Sequence, residues 1–315
     1  MQLGYSGFSF DERVASQVRE EFALRRAAVI PHFLEAGLAA DLARLLESAP
    51  GAERVYRESD GRAFASDFAF SSTGTPSVAL RLLTNDESLL SGMESATGTR
   101  GLRSFDGSIF RHFPARDHYL DWHNDCDGTR IIGMSVNLST RPYQGGRFRL
   151  RRANTEEVLA DIHYTQLGWA HIFEIGPKLE HCVTEIVGSE PRTSYAGWCR
   201  TEPDRAAYIG AVKPAERGSV LGDSEKVQGD RFGRAAKAVF QTIADEVMAL
   251  SFHTGKLARL DPIATEVWRE VAECGSIAEA RRRLAERYDV DAEVLARDVD
   301  MIIGELVAAG LLEPR

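Results

Sequence analysis

Hydrophobic positions along the chain change period as it proceeds. Ala28-Val29-Ile30 reads as a short strand. It leads into a helix reaching about residue 46, with Leu38, Leu42, Leu45 and Leu46 on one face. Between about residues 105 and 200 the period becomes two. Ile132, Met134, Val136 and Leu138 alternate with smaller or polar residues, as in a half-buried strand. Phe148 and Leu150 alternate with Arg147, Arg149 and Arg151, just after a Gly145-Gly146 turn. Trp169, His171 and Phe173 keep the same period, and so do Ser194, Ala196 and Trp198. Short strands separated by Gly, Pro and Asn turns predict a β-sandwich or jelly roll.

The pattern breaks over 203–230, where Pro203, Pro214 and several glycines lie among charges without a period. A smaller unit follows. Strands are expected at Ala238-Val239-Phe240, Glu246 to Phe252 and Lys256 to Leu260, with a turn at His253-Thr254-Gly255. Asp261-Pro262 starts a helix as N-cap and first helical residue, with Ile263, Val267 and Val271 as its buried stripe and Gly275 as its end. Ser276 with Glu279 forms a capping box for the next helix. The last helix carries Leu295, Val299, Ile302 and Leu306 on one face and stops at Gly310. The order β-β-β-α-α-α predicts a small α+β winged-helix-like domain. The expected organisation is a mainly β domain with flanking helices over 1–205, a linker over 206–230 and the small domain over 231–315.

Composition narrows the class. With 315 residues, 43% apolar and 27% charged, the chain can build a sizeable core. A net charge of −9 argues against a nucleic-acid surface, and no apolar run approaches the roughly 20 residues that span a bilayer. No secretion signal is visible at the N-terminus, and the four cysteines form no CxxC pair, so a cytoplasmic protein with reduced thiols is expected.

The candidate chemistry lies in His123-Asn124-Asp125, His181 and Arg192. Two imidazoles and one carboxylate make the facial set that holds non-haem Fe(II) and leaves positions open. HxD alone is weak, but here it occurs once, and the chain length to His181 allows a return on a facing strand. Arg192 on the following strand can grip the far carboxylate of a 2-oxo acid, because a guanidinium is bidentate and always charged. Ser194 places a hydroxyl two residues on, on the same strand face. The same triad can bind Zn(II) in a hydrolase, but Arg192 and the Gly-Gly turn would then be unexplained. Asp125 argues against halide transfer, which needs that position vacated. Cys126 and Cys182, beside two of the candidate ligands, are expected to be buried and inert. His112, His118, His163 and His171 are expected to be surface or hydrogen-bonded histidines, not ligands. Tyr119 and Trp122 are candidates for the substrate entrance.

The stretch Phe105 to Arg200 resembles the core of the Fe(II)/2-oxoglutarate-dependent dioxygenases, prolyl-hydroxylase-like branch. The matching pieces are Phe110-Arg111-His112-Phe113-Pro114, His123-Asn124-Asp125, Tyr143-Gln144-Gly145-Gly146, Gly168-Trp169 through Phe173, His181 and Arg192. The resemblance implies a double-stranded β-helix (jelly roll). It also implies Fe(II) on His123, Asp125 and His181, 2-oxoglutarate on Arg192 and Ser194, and O2 as cosubstrate, with conversion to succinate and CO2.

The segment from Asp245 to Leu312 resembles a PqqD-like domain. It does so through Val247-Met248-Ala249-Leu250, Gly255, Ala258-Arg259-Leu260-Asp261, Ala264 with Trp268, Tyr288-Asp289-Val290-Asp291 and Leu306 to Leu312. That resemblance implies leader-peptide recognition in systems that modify ribosomally made peptides (RiPPs), by strand addition at an edge formed by Lys256, Leu257, Ala258, Arg259 and Leu260. The facing helix would be roughly Glu293 to Ala309. A packing or dimer module is the plainer reading, and DNA binding is disfavoured because Arg281-Arg282-Arg283 is the only basic run. Together the two halves suggest a dioxygenase hydroxylating a side chain of a precursor peptide bound by its leader, beside other peptide-modifying enzymes. The alternatives are an oxygenase of a free small molecule and a non-catalytic peptide chaperone.

Overall fold

A computed structural model describes residues 1–57, 61–116, 118–203, 229–243 and 246–315. The chain divides into two compact units, Met1–Arg205 and Ala206–Arg315. The expected linker over 206–230 falls outside the described residues apart from its last two. Among the described residues no helix is long and apolar enough to cross a membrane.

The first unit is built on an 11-stranded antiparallel sheet. From one end to the other its strands run Val158–Ile162, Phe148–Arg152, Leu179–Val183, Tyr119–His123, Ala63–Phe70, Ser104–His112, Arg192–Arg200, Arg130–Asn137, Ala170–Glu174 and Ala27–Ile30, while Gly51–Arg57 pairs with Ala63–Phe70 off this path. The sheet folds back on itself. Phe148, Leu150, Ala160 and Ile162 from one end share a core cluster with Ala27, Phe173 and Ile175 at the other. The Phe148 and Phe173 rings lie 4.6 Å apart between centroids. Each such ring contributes about 2 kcal/mol by leaving water, and this contact turns a twisted sheet into a nearly closed jelly roll. The expected alternation is seen here: Phe148 and Leu150 are buried while Arg149 is half-exposed.

Helices Glu12–Arg25, Ala36–Leu46, Thr75–Thr84 and Glu87–Thr97 flank the sheet. In the second of these Leu38, Leu42 and Leu46 are buried as expected. The other three, and the hairpin Gly51–Arg57/Ala63–Phe70, are additions that the hydrophobic periodicity did not single out.

Backbones approach closely at the centre. Gly197 faces Gly107 across the Arg192–Arg200 and Ser104–His112 pair. A Cβ on Gly197 would lie 1.9 Å from the Asp106 carbonyl oxygen, so only glycine fits there.

The second unit has a three-stranded sheet, Ala238–Ile243, Glu246–Ser251 and Leu257–Leu260 in that spatial order. Helices Pro262–Cys274, Ile277–Ala285 and Ala292–Ala308 follow. Val247, Ala249 and Leu260 of the sheet meet Val267, Val271, Val299, Ile303 and Leu306 of the helices in one core. The caps act where the sequence places them. The Asp261 carboxylate accepts from the Ala264 amide, the Ser276 hydroxyl accepts from the Glu279 amide, and Gly275 closes the first helix at φ 70°. The buried stripe of the last helix runs through Ile303 instead of Ile302. A further pairing, Phe232–Arg234 with Leu312–Pro314, ties the two ends of this unit together.

Candidate metal centre and its cavity

His123 ends the strand Tyr119–His123, and the chain then turns sharply. Asn124 makes that turn. Its amide donates to the Gly176 and Leu179 carbonyls at 2.9 and 2.6 Å, and its side-chain oxygen accepts from the Cys126 amide at 2.7 Å. The middle residue of the motif thus ties the turn to the start of strand Leu179–Val183. His181 lies on that strand in direct register with His123. The two histidines therefore sit on hydrogen-bonded neighbours, where the sequence had suggested facing strands.

The ligand atoms of His123, Asp125 and His181 all lie within 4.8 Å of one another. The two Nε2 atoms stand 3.5 Å from the two carboxylate oxygens of Asp125. An ion bonded to nitrogen and oxygen at 2.0–2.2 Å needs such donors about 3 Å apart, so a small contraction suffices. His123 Nδ1 donates to the Asp121 carbonyl at 2.7 Å, which leaves the lone pair on Nε2 turned to the site. Burial pushes His181 down to about 3, keeping it neutral and able to ligate. Burial opposes ionisation of Asp125, but contacts with His123, His181 and the Trp198 indole hold its carboxyl well below the usual carboxylate range. That indole N–H donates to Asp125 at 2.6 Å. The donor set is that of a non-haem Fe(II) site.

These residues open into a cavity of about 310 Å³, which Arg192, His171 and Ser135 also line. Arg192 is 5% exposed. Its stem passes under the predicted Gly145-Gly146 turn, where a Cβ on Gly146 (φ 62°) would strike Arg192 Cδ at 2.9 Å. One terminal nitrogen donates to the Ser135 hydroxyl at 3.3 Å, and the other has no partner. Ser194 is wholly buried with its hydroxyl unpaired, and it is not among the residues lining the cavity.

The site contains groups that the motif reading missed. The Tyr164 hydroxyl donates to the Ser135 carbonyl at 3.0 Å, so His171 Nδ1, 2.9 Å from it, carries a proton and donates to it. His171 Nε2 is then a buried atom without a partner. Unpaired buried polar atoms are rare in folded proteins, and three such atoms here, Arg130 Nε, His171 Nε2 and Arg192 Nη1, belong to residues lining one cavity. Trp198 was legible in principle, because Arg192, Ser194, Ala196 and Trp198 alternate along one strand. Tyr119 lines the cavity, whereas Trp122 is not among its lining residues. Cys126 is exposed, contrary to expectation, because the Asn124 turn lifts it to the surface; Cys182 is buried.

Lys256 lies just before the third strand of the second unit, which starts at Leu257. Leu257, Ala258, Arg259 and Leu260 form one of the two edges of that sheet, Ala238–Ile243 the other. The Ser251 amide donates to the Lys256 carbonyl at 3.0 Å. By the alternation of an antiparallel ladder, Ala258 and Leu260 also bond inward, and the main-chain groups of Leu257 and Arg259 point away from the neighbouring strand.

Three buried histidines give the first unit a pH signature. Burial first, and the Arg192 guanidinium second, push His112 and His171 down to about 3, and burial does the same to His181. The unfolded chain takes up protons below about 6.5 that the folded chain refuses. Stability is therefore full above that pH and is lost as pH falls toward 3, by about 1 kcal/mol per pH unit for each group. Urea unfolding of the metal-free protein between pH 7 and 4.5 will show this slope, and His112→Phe, which removes one of the three groups, will reduce it by about a third. A slope unchanged in the variant would contradict the assignment.

Residues 246–312 match the family model described as Coenzyme PQQ synthesis protein D (PqqD). No curated protein matches the chain. Similar solved structures include an oxidoreductase of the 2OG-Fe(II) oxygenase family from Burkholderia pseudomallei, at 14% identity over 64% of this chain and 97% of that one, with a TM-score of 0.47. A prolyl hydroxylase from Trichoplax adhaerens, in complex with a hypoxia inducible factor oxygen degradation domain peptide fragment, is 14% identical over 64% and 94%, with a TM-score of 0.48. TbiB1 in complex with the TbiA(beta) leader peptide is 27% identical over 26% of this chain and 94% of that one, with a TM-score of 0.25. The 2OG-Fe(II) oxygenases thus stand among the structural neighbours of the chain, and residues 246–312 form a PqqD domain.

Proposed function

We propose that the protein is an Fe(II)- and 2-oxoglutarate-dependent oxygenase that hydroxylates a side chain of a ribosomally made peptide. In this reading residues 1–205 are the oxygenase domain, 206–230 the linker and 231–315 the leader-recognition domain. One observation carries the oxygenase part: a His123–Asp125–His181 donor set and a buried Arg192 with an unanswered nitrogen share one cavity. His123, Asp125 and His181 hold the iron. Arg192 binds the far carboxylate of 2-oxoglutarate, with His171 and Ser135 beside it and Ser194 two residues on along the strand. The bound iron and 2-oxoglutarate supply the oxidising chemistry, with O2 consumed and succinate and CO2 released. The chain's own part is to fix the two anions, keep the imidazoles neutral and enclose the reacting centre.

The peptide part rests on the PqqD domain and its edge strand Leu257–Leu260. A leader added there as a fourth strand makes delivery of the core peptide effectively intramolecular, so the cavity needs only weak affinity for the core. Anaerobic titration with Fe(II) and 2-oxoglutarate tests the first part: the visible charge-transfer band of a chelated 2-oxo acid is expected, and its absence from metal-loaded protein contradicts the reading. The second part is tested with the leader of a precursor peptide encoded beside the gene. Leu257→Pro removes one outward N–H and no bond inside the sheet, so it is expected to weaken leader binding roughly tenfold or more without unfolding the domain. Unchanged affinity would place the leader elsewhere.

A further inference from the structure

Arg130 begins the strand Arg130–Asn137 and lines the same cavity as the three candidate ligands. Its guanidinium lies over the Trp198 ring, 3.8 Å from the centroid. Nε stands 3.2 Å from an Asp127 oxygen, and Nη1 stands 3.7 Å from an Asp125 oxygen and reaches the Asp125 carbonyl at 3.5 Å. Nε is nonetheless buried without a hydrogen bond, and none from Nη2 is seen among the described residues. The side chain is 24% exposed. It is therefore a cation held by ring stacking and by two nearby carboxylates, with hydrogen-bonding capacity left over.

Charges around the cavity show what the guanidinium lacks. Asp67, on the wall, is 4% exposed and already held by Arg54 at 3.1 and 3.2 Å and by the Tyr56 hydroxyl. Asp127 is shared between Arg130 and Arg200, the latter at 3.2 Å. In the loaded site a divalent metal, Asp125, a dianionic 2-oxo acid and Arg192 sum to zero, and so do Asp67 and Arg54. Arg130, Arg200 and Asp127 leave one positive charge, and Arg130 is its member on the cavity wall. Asp127 alone does not balance the two guanidiniums it serves, and a partly buried excess of positive charge favours an incoming anion.

We propose, resting on the function given above, that Arg130 selects a carboxylate side chain, so that the residue oxidised is an aspartate or a glutamate of the core peptide. A neutral side chain leaves that excess charge unbalanced, and a basic one adds to it. The reaction balances. One C–H bond of the acidic side chain breaks and a C–O bond forms with one atom of O2, the hydrogen staying on the new hydroxyl. 2-Oxoglutarate loses its C1 carboxyl as CO2, takes the other oxygen atom and leaves as succinate.

The probes are capped Gly-Gly-X-Gly-Gly peptides with X as Asp, Asn or Lys, added anaerobically at millimolar concentration to protein holding Fe(II) and 2-oxoglutarate. Their binding is read as a shift of the visible band. The Asp peptide is expected to bind about 10- to 100-fold more tightly than the Asn peptide, the range for one charge-assisted hydrogen bond, with Lys weakest. Arg130→Gln should erase the preference, and Arg130→Lys should keep part of it. Equal binding of Asp and Asn to the wild-type protein, or a preference that survives Arg130→Gln, would overturn the inference and leave Arg130 as a support for Asp125. No band at all would overturn the oxygenase reading, and this inference with it, by a separate signal.

Discussion

Asp125→Ala will abolish the charge-transfer band of the Fe(II)–2-oxoglutarate protein and reduce succinate formation to background, a loss of roughly a thousandfold or more on the scale seen when a catalytic group is removed. Asp125 is the anionic member of the donor set, and two neutral imidazoles alone hold Fe(II) weakly. The fold should survive. The residue sits on a turn, its side chain is 12% exposed, and the truncation removes the acceptor of the Trp198 indole N–H, one contact of Arg130 and the carboxylate beside the two imidazoles. The expected stability cost is about 1–3 kcal/mol. Band and succinate formation persisting in this variant would show that the metal, if bound, lies elsewhere.

Arg192→Met should act differently, raising the 2-oxoglutarate requirement while leaving the metal in place. Two charge-assisted hydrogen bonds to a carboxylate are together worth about 3–4 kcal/mol, so the Kd for 2-oxoglutarate is expected to rise roughly 10²- to 10³-fold. The band should return at saturating 2-oxoglutarate. Arg192→Lys should recover only part of the affinity, because an ammonium lacks the fork. Metal-free Arg192→Met is expected to be no less stable than the wild type, since the guanidinium is 5% exposed with one nitrogen unpaired. A Kd within twofold of the wild type would remove Arg192 from the cosubstrate site.

Several elements of this protein were legible because a local rule specified them. Period-two alternation at Phe148-Arg149-Leu150 marked a strand with one face inward. Asp261-Pro262 and Gly275 bracketed a helix by capping chemistry that needs no distant partner. His123-Asn124-Asp125 with His181 was legible as chemistry because few tasks require those types together. Other elements were missed because their signal is not local. The helices Thr75–Thr84 and Glu87–Thr97 and the hairpin Gly51–Phe70 lie where no strong period stands out. His171 looked like an ordinary strand residue, since its role depends on Tyr164 and Arg192, which meet it only in the folded sheet. Cys126 was expected to be buried, and only the Asn124 turn decided otherwise.

The sequence by itself determined the residue types of the site, the jelly-roll periodicity and the small C-terminal domain, because side-chain chemistry, alternation and caps act over a few residues. The tertiary structure alone decided that His181 lies in register with His123, that Trp198 and Arg130 brace Asp125, and that Arg192 keeps a free nitrogen in the same cavity. Those outcomes depend on strand pairing between residues far apart in the chain. The register is set by the burial of whole sheet faces such as Phe148 against Phe173, and no short stretch of sequence contains that information.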